Sequence, residues 1–250
     1  VQTAQASVAE DLHSILGIVQ EGVGFATLNK AVREEIQKWF AKVLVEGARS
    51  LLEVARREPA QASAAVEAFA HSAHTFLTQG WQDRGAEMFE EGQQAVEEHR
   101  LHDTMAFALL LRIRGVLASQ RGEHAQSLMH YVHAAQVCEA AGQRESELAA
   151  VLAMNAGNMQ RELGRFEEAK ASYRRCRSTR VAMCTLMSEK GALLLTNLGS
   201  LLTESGELDE ALHALDEAAQ IRVAIGAEEL PDAAFLLDVR GVLHERRGEE

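Results

Sequence analysis

The chain has 250 residues, a formal charge of −12, 47% hydrophobic side chains, 5% aromatics and only two prolines. The acidic balance argues against a nucleic-acid partner, because phosphate binding needs clustered basic side chains. So few aromatics argue against a large aromatic-lined ligand pocket, and abundant Ala, Leu and Glu with little Pro point to an all-helical protein. There is no apolar run long enough to span a bilayer and no signal peptide. Cys138, Cys176 and Cys184 are odd in number and lack zinc-finger spacing. They fit a reducing, cytoplasmic compartment, with Cys138 and Cys176 as small buried hydrophobes.

In chain order, residues 7–19 predict an amphipathic helix that Gly22 and Gly24 interrupt, and residues 27–57 predict one long helix or two shorter ones ending before Pro59. Residues 1–59 follow no clear period and are expected to cap the apolar side of what comes next. From about residue 60 onward the chain is periodic. A small residue is followed seven places later by glycine in Ala73/Gly80, Gly115/Gly122, Gly157/Gly164, Gly199/Gly206 and Gly241/Gly248, each pair 42 residues after the last. A fixed period of this size predicts a stacked repeat array, here four full repeats and a truncated fifth over 60–250.

The fourth copy is the clearest. Leu195, Leu198 and Leu202 form the apolar stripe of a first helix, Gly206 ends it, and Ala211, Leu215 and Ala218 make one face of a second helix. The small residues permit close approach, and Leu215 fills the space between. Gly142 and Gly226, two periods apart, are expected to cap second helices. Val1 is not a natural start and the fifth repeat stops at its turn, so the native polypeptide is expected to continue.

This layout resembles the tetratricopeptide repeat. The segment Asn197-Leu-Gly199, followed by Asp209-Glu-Ala211, is similar to the 42-residue variety seen in kinesin light chain. The motif's tryptophan is replaced by Phe69, Leu111, Ala153, Leu195 and Leu237. The resemblance implies a right-handed superhelical solenoid of antiparallel helix pairs, with the first helices lining a concave wall. It places a peptide-binding surface at Arg112, Asn155, Asn158, Thr196, Asn197 and Ser200. Asn155 and Asn197 hold the same place in adjacent repeats, and a carboxamide can pair with both the N–H and the C=O of an extended peptide. The competing reading is that these asparagines only bond across neighbouring helices.

Other chemistry is weakly signalled. Glu67, His71 and His74 share a helix face, and His130 and His133 are three apart, but no zinc motif surrounds them, and ordinary surface histidines are expected. The run Arg174, Arg175, Arg177 and Arg180 reads as a solvated face. No nucleophile motif, phosphate-binding loop or dinucleotide fingerprint is present, so the segment reads as non-enzymatic, with no cofactor. The partner implied is a protein or peptide held in the groove, with the array as regulatory arm of a larger protein. The alternative is self-association, or an autoinhibitory contact with a downstream domain.

Overall fold

The computed structural model describes residues 25–227 and 231–248, and every regular element among them is a helix. The chain divides into two compact units, one ending at His99 and one starting at Arg100. The first holds α1 (Phe25–Arg57), a 3-10 turn at Pro59–Gln61, α2 (Ala62–Thr78) and α3 (Gln82–His99). The second holds α4 (Met105–Gln120), α5 (His124–Ala140), α6 (Glu147–Glu162), α7 (Phe166–Ala182), α8 (Glu189–Ser205), α9 (Leu208–Ile225) and α10 (Pro231–Arg247).

In the first unit α2 packs between α1 and α3. Residues 27–57 form one helix, since neither proline nor a left-handed residue interrupts them. α1 is buried along Ala41, Ala48 and Ala55, seven apart and each at most 2% exposed. Arg49 donates to Glu91 of α3 (2.9 Å) and to Glu87 (2.8 Å), and Arg56 donates to Glu98 (3.3 Å). Ile36, Phe40, Val43, Leu51 and Val54 form a second stripe on α1, all 37–57% exposed, with open space above Gly47. The helix expected over 7–19 lies outside the described residues.

In the second unit, α4 pairs with α5, α6 with α7 and α8 with α9, and each second helix packs on the next first helix. Local sequence sets where each pair starts and turns. Thr104, Ser146 and Ser188, themselves 42 apart, cap α4, α6 and α8 by accepting the N–H of Phe107 (3.3 Å), Ala149 (3.2 Å) and Gly191 (3.2 Å). Gly206, with φ at 85°, turns the chain out of α8 so that the Glu207 N–H reaches the Leu202 carbonyl at 2.9 Å.

The helices of a pair then meet small against large. A Cβ on Gly157 would lie 2.6 Å from the Tyr173 ring, and one on Gly199 would lie 2.6 Å from Leu215. Tyr131 occupies the same place against Gly115. Tyr173, Leu215, Ala211 and Ala218 are all fully buried, as the pattern predicts. Cys138 and Cys176 are buried free thiols, and burial raises the affinity of each for its proton.

One expectation holds more widely and one needs correction. Gly142 and Gly226 end second helices as expected, and the left-handed ending recurs where no glycine stands. Gly142 (φ 72°), Cys184 (φ 56°) and Gly226 (φ 66°) follow α5, α7 and α9 in turn, and Arg100 (φ 55°) follows α3. Hydrogen bonding makes the geometry recur: Gly142 donates to Glu139 O, Cys184 to Val181 O and Gly226 to Val223 O. Arg180 is not part of a solvated face. It is 1% exposed, with Nη1 donating to Glu147 at 3.4 Å, and only its neighbours Arg174, Arg175 and Arg177 are exposed.

Candidate functional site: the polar row on the first helices

Within the second unit the first helices lie side by side, α4 beside α6, α6 beside α8, and α8 beside α10. Side chains one turn apart on one helix therefore face their counterparts a repeat later. Asn158 is half-buried on α6, and its Oδ1 accepts from the Tyr173 hydroxyl (2.7 Å) and from Asn197 Nδ2 of α8 (3.5 Å). One turn on, Arg161 Nη1 donates to Ser200 Oγ at 3.1 Å and lies 3.8 Å from Glu204. Arg246 Nη1 of α10 continues the row by donating to the Thr203 carbonyl at 2.9 Å.

Asn155 is half-buried and makes no hydrogen bond among the described residues. Asn158 Nδ2 and Asn197 Oδ1 are likewise left without protein partners there. Each carboxamide thus keeps a donor or an acceptor for something else. The Asn158–Asn197 contact shows that the bonding between neighbouring helices is also real, at the long end of the hydrogen-bond range. Asn158 and Asn197 each use one edge of the amide between the helices and leave the other without a protein partner among the described residues, although Asn197 is only 9% exposed.

The structure separates the six sequence-derived positions. Asn158, Asn197 and Ser200 come together on α6 and α8, with Asn155 one turn away. Thr196 does not join them. It is fully buried, and its hydroxyl donates to the Ala192 carbonyl of its own helix at 2.9 Å, so it presents nothing to a ligand. Arg112 is 9% exposed, and burial lowers its pKa, opposed only by the adjacent Tyr131. It forms no ion pair with a carboxylate among the described residues.

Arg161, Tyr173 and Glu204 are members of the row that the sequence reading missed. Arg161 was within reach of the pattern, since it follows Asn158 by three residues on the same helix face. Tyr173 reads as a core residue, and it is one. Burial pushes its hydroxyl pKa up against the pull of Arg161, so it stays a neutral donor holding Asn158.

No group of three or more His, Cys, Asp or Glu among the described residues can hold an ion. His71 Nδ1 is taken up by its own helix, donating to the Glu67 carbonyl at 2.7 Å. No helix among the described residues is long and apolar enough to cross a membrane.

Comparison with known proteins agrees with this architecture. Family models described as tetratricopeptide repeat match residues 150–176 and 192–225, which hold most of α6 and part of α7, then most of α8 and all of α9. The crystal structure of BtubC (BKLC) from P. vanneervenii is similar in fold, with a TM-score of 0.71 at 19% identity over 84% of this chain and 83% of that one. No curated protein sequence matches the chain. The periodic sequence, the paired helices, the two repeat matches and the shared fold agree: residues 150–176 and 192–225 match the tetratricopeptide repeat, and the fold is that of a tetratricopeptide-repeat solenoid.

Proposed function

We propose that the chain is a cytoplasmic, non-catalytic scaffold that binds an extended segment of a partner protein along its first helices, as the regulatory arm of a larger protein. Tetratricopeptide repeats in general are surfaces for protein partners. The observation that carries the finer reading is the row of half-satisfied carboxamides. Asn155 is wholly free, and Asn158 and Asn197 each keep one polar atom free among the described residues. An extended peptide carries one N–H and one C=O per residue, and this row supplies the complementary groups without demanding a sequence. Arg161 and Ser200 extend it at the side from which an acidic side chain or a C-terminal carboxylate is recognised.

The test is affinity capture with mass spectrometry, comparing the natural polypeptide with a variant carrying Asn155→Ala, Asn158→Ala and Asn197→Ala. Each lost carboxamide contact costs about 1 kcal/mol, so the triple variant binds its partner on the order of a hundredfold more weakly. Its helicity by circular dichroism stays unchanged. Equal recovery by a folded variant refutes the carboxamide row. Recovery of nothing but further copies of the chain moves the reading to self-association, for which the exposed stripe of α1 is the available face.

A further inference from the structure

Another side of α4 carries a second feature. Arg114 follows Ile113, the α4 counterpart of Asn155 and Asn197, by one residue, which turns it about 100° around the helix from the first-helix row. There α4, α5 and the turn between α6 and α7 enclose a cleft of about 570 Å³. Its charged and titratable lining is Arg114, His130, His133 and Arg165, and no carboxylate lines it. In a chain of net charge −12 this is a local inversion of sign. Glu168 lies 3.7 Å from Arg165. Beside these groups, Met129 and Val132 are 59% and 43% exposed, and the Phe107 ring meets His133 edge-on at 5.8 Å.

The repeat pattern gives the contrast that matters. On the corresponding side of the fourth repeat, α7 and α9 are clasped by Arg177–Glu217 (2.8 Å) and Arg174–Glu210 (3.9 Å). Two periods before Glu217 stands His133, and two before Glu210 stands Gln126. The two acidic members of that clasp are thus replaced on α5 by His133 and Gln126, and cationic and apolar side chains line the same side.

We propose that this cleft is a second partner site, taking a peptide segment in which a carboxylate side chain neighbours an apolar one. Arg114, Arg165 and His133 hold the carboxylate, and Met129 and Val132 hold the apolar neighbour. Burial, then Arg114 and His133, keep the His130 pKa below its ordinary value. A carboxylate in the cleft reverses that balance, so binding takes up protons and tightens as pH falls from 7 towards 6. The groups facing His130 in this titration are Arg114 from α4, His133 from its own helix and Arg165 from the turn, with Glu168 behind Arg165. The inference rests on the scaffold reading but not on the asparagine row.

The experiment uses the full chain and a short fluorescein-labelled peptide of alternating leucine and glutamate, read by anisotropy, with the leucine–glutamine counterpart as control. The variants are Arg114→Gln and His133→Glu, the latter restoring the residue type that the fourth repeat carries at Glu217. Expected are binding of the glutamate peptide only, a loss of about tenfold or more in either variant, and no change in the triple-asparagine variant. The proposal is overturned if the glutamine peptide binds equally or if both variants bind like the wild type. It is also overturned if inorganic phosphate competes as well as the peptide does. Loss confined to the triple-asparagine variant assigns the peptide to the first-helix row and removes this site, leaving the row intact.

Discussion

At the scale of single residues, the fold depends on positions where a side chain would be in the way. Gly157 and Gly199 exist because Tyr173 and Leu215 occupy the space of their missing side chains. Those positions were legible in the sequence, since the small–large alternation repeats even where identities change. The left-handed endings were legible only where glycine marked them. Cys184 adopts the same backbone as Gly142 and Gly226, but nothing in its chemistry announces it. Left-handed backbone costs a residue with a Cβ about 1 kcal/mol. Cys184→Gly is therefore expected to stabilise the second unit by about 0.5–1 kcal/mol, while Gly142→Ala destabilises it by a similar amount. Urea unfolding followed by circular dichroism reads both, and a Cys184→Gly chain no more stable than the parent refutes the strain argument. Thr196 shows the limit in the other direction. Its place beside Asn197 suggested access, whereas the roughly 100° between adjacent residues of a helix puts it wholly inside.

At the scale of helices, boundaries follow from caps, and contacts between repeats follow from charge. Thr104, Ser146 and Ser188 repeat at the same period as the glycines, a start signal as regular as the stop signal. The ties between helices were harder to foresee, because long charged side chains find partners that only packing brings near. Glu147 is the clearest case. Its carboxylate accepts from Lys190 of α8 (2.6 Å) and from the buried Arg180 of α7 (3.4 Å). Burial alone would raise its pKa, but Lys190 and Arg180 outweigh that and hold it below the ordinary glutamate value of 4.5. A folded-state pKa depressed in this way contributes stability at every pH above the unfolded value. That contribution is lost as pH falls from about 4.5 through the lower folded value. Glu147→Gln should cost about 1–2 kcal/mol at pH 7, discounted because the carboxylate is partly exposed, though it leaves Arg180 buried without its anion. The penalty shrinks as pH is lowered through that window. Chemical unfolding at pH 7 and pH 3.5 measures it, and a penalty independent of pH contradicts the assignment.

At the scale of the whole molecule, periodicity carried most of the fold. Five phased pairs predict stacked helices, and the described residues show consecutive helices packing in order within each unit. The start of the described chain was less legible. The long α1 follows no period, and its two apolar faces, one buried on alanines and one exposed, do not distinguish themselves by composition. The first-helix row was legible as a place more than as a set of residues. Asn158 and Asn197 lie on the first helices α6 and α8, but their bonding to each other, to Tyr173 and past Arg161 needed coordinates. The central proposal is that the partner lies against α6 and α8. Photo-crosslinking tests it most directly, with a photoreactive residue placed at position 155 or, as control, at exposed Arg175 on α7, in the presence of the captured partner. The account predicts an adduct from position 155 and none from 175. Adducts from 175 alone would place the partner against the second helices and contradict it.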